Sequence, residues 1–245
     1  MMVTPNVALR WITRKLKEKI VNISMLPSVI KNEAVKQTVH IEPFFPTPLG
    51  FLQMDKALSK KILEFMKSKE IQIERNNRFN GISSSQYILE NDELSDIKKV
   101  LTDSVNEYFK EIVTPDQDMK LYITNSWINV TKNGESHHPH KHPNSIVSAI
   151  LYIDTCEGDT ISFKNPNAEI FGNLNFGYTH TTKLTIPEWN VPVTTNTLIV
   201  FPSTLTHRVQ LRPNICTGTR ISLSFNTWFK GTIGCGKANA NELRL

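Results

Sequence analysis

The spacing of apolar residues changes character near residue 119. Before it, apolar positions recur every three or four residues; after it, they fall in short runs broken by Gly, Pro and Asn. In "DKALSKKILEFMKSKE", Leu58, Ile62, Phe65 and Met66 form one stripe, which predicts a helix over 55–70. A longer stripe of Leu94, Ile97, Leu101, Val105, Tyr108 and Ile112 predicts a second helix over 91–113. Asn91 or Asp92 is placed to cap its start, acidic side chains follow in the first turn, and Pro115 ends it. The stretch "VALRWITRKLKEKIV" sets Leu9, Ile12, Leu16 and Ile20 on one helical face among five basic residues. It reads as an amphipathic helix packed on its own domain, with a transit peptide or a membrane-surface helix as alternatives. The Pro-rich "IEPFFPTPLGF" predicts an extended lead-in strand, and "RFNGISSSQYILEN" a strand or loop between the helices.

The second half reads as β-structure. "KLYITNSWINVT", "SIVSAILYIDT", "DTISFKN", "TLIVFP", "THRVQL" and "TRISLSFNTWFK" are short and rich in β-branched and aromatic residues, the signature of a sandwich or barrel. The segment 165–190, rich in Asn, Thr and Gly, is a long insertion of the kind that serves as a lid or substrate-binding element, with Phe171, Phe176 and Tyr178 as its selectivity candidates. This divides the chain into a basic amphipathic extension at 1–38, a main domain at 39–230 and a flexible C-terminal tail at 231–245.

Composition narrows the picture without deciding it. A chain of 245 residues with 39% hydrophobic content can bury a core without disulfides or structural zinc. The net charge of +5 comes with no dense basic run interleaved with aromatics, so nucleic acid is not signalled. No run approaches the ~18 apolar residues of a bilayer span. Three cysteines, Cys156, Cys216 and Cys235, with no CxxC pair and no secretory signal, predict reduced thiols in a cytoplasmic setting.

The chemistry gathers around histidine. Five of the seven histidines are His137, His138, His140, His142 and His207, and four of these fall within six positions. His140 and His142, at i and i+2, point to one side of an extended chain, and a distant strand can bring His207 to the same ion. His138 and His140 share that spacing but enclose Pro139, so His137 and His138 are expected outside the ligand set, around it or facing solvent. Three imidazoles with open positions suit zinc or ferrous iron. Arg220, 13 residues after His207 on an apolar strand, needs an anionic partner if buried. The flanking strands carry no acid, which points to a ligand carboxylate, and Ser222 at i+2 faces the same way.

These residues resemble those of the iron(II)- and 2-oxoglutarate-dependent oxygenases. "SWINVTKNGESHHPHKHPNSIVSAILYI", "LIVFPSTLTHRVQL" and "TRISLSFN" stand in that family's order over about residues 40–230. They are most similar to a branch in bacteria and marine phages whose metal motif reads H-x-H-P, and more distantly to the prolyl hydroxylases. The resemblance implies a mainly β fold, a double-stranded β-helix or jelly roll braced by N-terminal helices. It implies His140, His142 and His207 as Fe(II) ligands. It implies Arg220, Ser222 and Tyr152 as the anchor for the far carboxylate of 2-oxoglutarate. It further implies O2 as oxidant, ascorbate as a stimulant, and hydroxylation of a small-molecule or peptidyl substrate coupled to formation of succinate and CO2. The chain departs from the widespread two-histidine, one-carboxylate site, and Asp154 or Asp159 stands as a substitute ligand.

Three rival readings remain. A cupin carries a glutamate three or four residues after its H-x-H, where this chain has Ser145 and Ile146. A three-histidine zinc hydrolase needs a general base, for which only Glu135 is near in sequence. A non-catalytic metal-binding β-sandwich, cupin-like or from a viral particle, needs neither.

Overall fold

The computed structural model describes residues 45–76, 79–115, 119–168, 177, 179–212, 218–234 and 242–245. The amphipathic extension, and with it Phe171, Phe176, Tyr178, Cys216 and Cys235, lies outside them.

Twelve strands and two α-helices make up the described fold. The elements are β1 (Gly50–Gln53), α1 (Lys56–Ser68), β2 (Ile73–Asn76), β3 (Asn80–Ser83), α2 (Ser95–Val113) and β4 (Met119–Thr131). Then come β5 (His137–His140), β6 (Val147–Asp154), β7 (Thr160–Lys164), β8 (Glu188–Pro192), β9 (Thr197–Pro202), β10 (His207–Val209), β11 (Arg220–Ile233) and β12 (Leu243–Arg244). The large sheet runs β1-β9-β6-β11-β4-β3-β2, with β12 paired to β11; the small sheet runs β5-β10-β7-β8. The fold is mainly β, two antiparallel sheets with few helices, as the jelly-roll expectation requires.

Alternation explains the layering. In β6, Val147, Ala149, Leu151 and Ile153 join the core that the helices cover, while Ile150 and Tyr152 face the small sheet. β9 repeats this, with Leu198 and Val200 under the helices and Ile199 and Phe201 between the sheets. The helices supply Ile62 and Phe65 from α1 and Ile97, Leu101, Val105 and Phe109 from α2. Asn106 locks α2 to β4 by accepting from the Leu121 N–H (2.8 Å) and donating to its carbonyl (2.9 Å). Leu223 on β11 sits in the middle of this layer, fully buried. Leu223→Ala is expected to lower stability by about 2–5 kcal/mol in urea unfolding, against little change for truncating the exposed Leu243.

β4 breaks the alternation once. Opposite β11, Ile123 pairs with Thr227 and Asn125 with Asn226, so Thr124 is an extra residue. Leu121 and Ile123 face the helices before this bulge, and Ile128 does so after it. Trp127, Asn129 and Thr131 thereby turn toward the small sheet, opposite Ser224, Ser222 and Arg220.

Two local expectations are corrected. The start of α2 has no side-chain cap: residues 92–94 form a 3-10 turn, Leu94 takes the N-cap position, and Asn91 donates its amide to the Ile88 carbonyl instead. The helix ends on Thr114 in the left-handed region, one residue before Pro115. Cys156 is disulfide-bonded, so the expectation of reduced thiols fails there. No helix among the described residues is long and apolar enough to cross a membrane.

Candidate metal centre

The histidine segment is itself a strand. β5 pairs antiparallel with β10 and sets His140 directly opposite His207, so both rings leave the same face of the small sheet. Their centroids are 4.3 Å apart. His142 follows in the loop, where its backbone N–H donates to the Ser203 carbonyl at 3.0 Å. Ser203 is buried and its hydroxyl bonds those of Ser145 (2.7 Å) and Ser148 (2.8 Å), which ties this loop to the large sheet. Trp127 stacks on the outer face of the His142 ring at 5.6 Å. The bulge in β4 is what aims that indole inward.

Hydrogen bonds to carbonyls fix two tautomers. His140 Nδ1 lies 2.8 Å from the His138 carbonyl and His207 Nδ1 lies 3.1 Å from the Leu205 carbonyl. A carbonyl only accepts, so each Nδ1 carries the proton and each Nε2 keeps a lone pair. The His142 and His207 Nε2 atoms approach to 3.2 Å. Two imidazole nitrogens about 2.1 Å from one ion, at 90–109°, stand about 3.0–3.4 Å apart. One donor atom from each of His140, His142 and His207 lies within 4.8 Å of the other two. The donor set therefore fits a divalent cation of the Fe(II) or zinc kind.

Burial keeps these rings neutral and ready to ligate. It pushes the pKa of His207 well below the ordinary range, lowers that of His140, and brings that of His142 down to about 4. His137 falls to about 3, through burial and then the neighbouring histidine and Arg220 charges. These depressed values fix the sign of an acid response. Above pH 6.5 neither folded nor unfolded chain protonates them; below it the unfolded chain binds protons that the folded chain refuses, so stability falls. Metal-free protein is expected to unfold at lower urea at pH 5 than at pH 7. A midpoint flat across that window speaks against buried, neutral imidazoles.

His137 lies beside these rings and away from open solvent. It is half-buried, its ring centroid lies 4.4 Å from that of His140, and its Nε2 meets the Asn76 amide at 3.3 Å. With His138 and His140 it forms a second group of convergent donors. Neither substitute carboxylate joins either group: Asp154 is exposed, and Asp159 is paired with Arg212.

Across the same cavity stands Arg220, 4% exposed at the start of β11. Its Nη1 donates to the Thr160 carbonyl at 2.9 Å, and its guanidinium lies 5.8 Å from the Tyr152 ring centre. Among the described residues it has no carboxylate in ion-pair reach. Burial lowers its pKa, while the charges of Tyr152 and Asp159 oppose that shift. Ser222 faces Tyr152 on one neighbouring strand and Asn129 on the other. Tyr152 is buried, which raises its phenol to about 12, so it remains a neutral donor. His140, His142, His207, Arg220, Ser222 and Tyr152 all line one cavity.

The cavity wall also holds unpaired polar atoms. Asn80 and Asn129 line it, both are buried, and the Oδ1 of each has no partner. Buried acceptors of this kind call for water or a ligand donor. The sequence marked neither residue, nor Trp127. The break in alternation between Ile123 and Ile128 was the available signal for β4; Asn80 carried none.

Residues 125–226 match a protein-family model described as "Putative 2OG-Fe(II) oxygenase". That span runs from the bulge in β4 to β11 and contains all six of these residues. Over that span the chain is similar to the Fe(II)/2-oxoglutarate oxygenases. No curated protein matches the sequence. Solved structures share the architecture. The α-ketoglutarate-dependent epimerase SnoN of nogalamycin biosynthesis aligns with a TM-score of 0.53 at 11% identity, over 74% of this chain and 76% of its own. HygX of Streptomyces hygroscopicus, with nickel and 2-oxoglutarate bound, gives 0.52 at 8% identity, over 74% and 82%. A 2OG-Fe(II) family oxidoreductase of Burkholderia pseudomallei gives 0.51 at 12% identity, over 73% and 83%. At these identities the likeness shows a shared oxygenase fold.

Proposed function

We propose that this protein is a 2-oxoglutarate-dependent dioxygenase that hydroxylates a small-molecule or peptidyl substrate. The observation that carries the reading is the pairing, in one cavity, of three convergent histidines with a buried arginine that no carboxylate of the described residues satisfies. A buried guanidinium without an anion is costly, and a dicarboxylate that reaches from the histidines to Arg220 removes that cost on binding.

Each residue then has a role. His140, His142 and His207 hold Fe(II) through their Nε2 lone pairs. Arg220 grips the far carboxylate of 2-oxoglutarate, Ser222 and Tyr152 add hydroxyl donors, and Ile161 packs beside them. Bound iron supplies the redox chemistry that couples O2 to decarboxylation of 2-oxoglutarate and oxidation of a C–H bond. The protein contributes geometry and the exclusion of water. An all-histidine ligand set brings no negative charge; the unpaired carbonyl oxygens of Asn80 and Asn129 add polar character to the same wall. Among the rivals, a cupin site lacks its glutamate. The hydrolase base, Glu135, instead accepts from Arg75 at 2.5 Å and from the Lys132 N–H at 2.8 Å.

The test is succinate formation from 2-oxoglutarate on adding Fe(II) and ascorbate under air, because this family turns over slowly without its primary substrate. Zinc-dependent hydrolysis with no succinate overturns the reading.

A further inference from the structure

Asp159 is a buried acid whose charge reaches Arg220, yet the two do not pair. Arg220 bonds the carbonyl of Thr160, the very next residue, and the charge of Asp159 is felt at the guanidinium. A carboxylate so close to a buried cation normally closes on it. What holds it off is a second arginine. Arg212 donates from Nε to Asp159 Oδ1 at 2.7 Å and from Nη2 to Oδ2 at 3.0 Å, a forked pair with both side chains 1% exposed. The Cys156 N–H adds a 2.9 Å bond to Oδ2.

Two further contacts of Arg212 lie beside Arg220. Its Nη1 donates to the carbonyl of Thr131, the residue paired with Arg220 across β4 and β11, at 3.2 Å. The same Nη1 donates to the carbonyl of Gly218, two residues before Arg220. Among the described residues the site thus buries two guanidiniums against one carboxylate, and Arg220 is the cation left over.

We infer that Arg212 is a positioning residue that, by occupying both oxygens of Asp159, keeps this carboxylate off Arg220 and so leaves Arg220 open to the far carboxylate of 2-oxoglutarate. This rests on the co-substrate reading given above. Without Arg212, Asp159 and Arg220 form a neutral pair, and the dicarboxylate has to break it to bind. Asp159 is then a competitor held in check rather than part of the binding site.

The test is anaerobic calorimetric titration of the Fe(II)-loaded full-length protein with 2-oxoglutarate, alongside melting curves. Arg212→Gln is expected to weaken binding by at least about tenfold, with Arg212→Lys closer to wild type because it keeps a cation on Asp159. Asp159→Asn alone binds no more weakly than wild type. The double variant Asp159→Asn/Arg212→Gln recovers to within about threefold of wild type, since the competitor is gone. A scaffold role predicts the reverse: Asp159→Asn weakens binding as much as Arg212→Gln, or the double variant is no better than Arg212→Gln. Either result overturns the inference. If Arg212→Gln does not fold, Asp159→Asn and the double variant still decide it, because a tenfold loss in either contradicts a competitor role. Failure of the wild type to bind 2-oxoglutarate overturns the co-substrate reading itself.

Discussion

Replacing His207 by alanine is expected to abolish Fe(II) binding while the apo-fold survives. His207 is 4% exposed, opposite His140 in register, and 3.2 Å from the His142 nitrogen. No neighbouring carboxylate can take over, because Asp159 is held by Arg212 and Asp154 is exposed. The second group, around His137, shares His140, whose single free nitrogen serves one ion at a time. Losing an outer-shell partner of a ligand already lowers metal affinity about 10–100-fold, so losing a ligand is expected to exceed that. Anaerobic Fe(II) titration, or Co(II) titration followed by its d–d absorption, measures the loss. Melting of the metal-free variant close to wild type shows that the fold is intact. Fe(II) affinity unchanged in His207→Ala sinks the three-histidine assignment and leaves the His137, His138 and His140 group as the alternative.

The second large effect is at Arg220, where affinity and stability are expected to move apart. Arg220→Met removes a buried charge that no carboxylate of the described residues pairs with and keeps most of the side-chain volume. Metal-free protein is therefore expected to melt no lower than wild type. Binding of 2-oxoglutarate is expected to lose a forked, charge-assisted contact worth about 2–5 kcal/mol, or roughly 30- to 5000-fold in affinity. Arg220→Lys restores the charge but not the fork and recovers only part. A structural arginine gives the opposite pattern, a lowered melting temperature with 2-oxoglutarate affinity retained. That pattern would falsify the anchor assignment.

Much of this was legible in the chain because the signals were local. The two helices follow from stripes at helical spacing, and β4, β6, β7, β9, β10 and β11 from β-branched runs. The six site residues sit in three short motifs, and the structure brings them to one cavity. Other features were not legible because long-range partners define them. β5 contains Pro139 and three histidines, a poor strand by propensity, and pairing with β10 makes it one. β2 and β8 carry exposed and polar residues and owe their form to β3 and β7. Asn91 fails as a cap because a 3-10 turn precedes α2 and engages its side chain elsewhere. The Arg212–Asp159 pair joins residues 53 positions apart, and nothing in "LRPN" or "EGDT" announces the other. Asp159 looked available as a ligand because its partner was invisible in one dimension.

The extra residue at Thr124 sets which side chains of β4 reach the cavity. It works as a reading-frame marker for β4: upstream side chains grip α2, and downstream ones furnish the reaction chamber. Pairing Thr124 into the ladder would hand Ile128 and Val130 to the cavity and send Trp127 and Asn129 into the helix layer, although every sequence motif stayed intact. Deleting it would only close the bulge and leave those faces as they are, so the out-of-ladder place of this residue, more than its identity, is what the cavity requires.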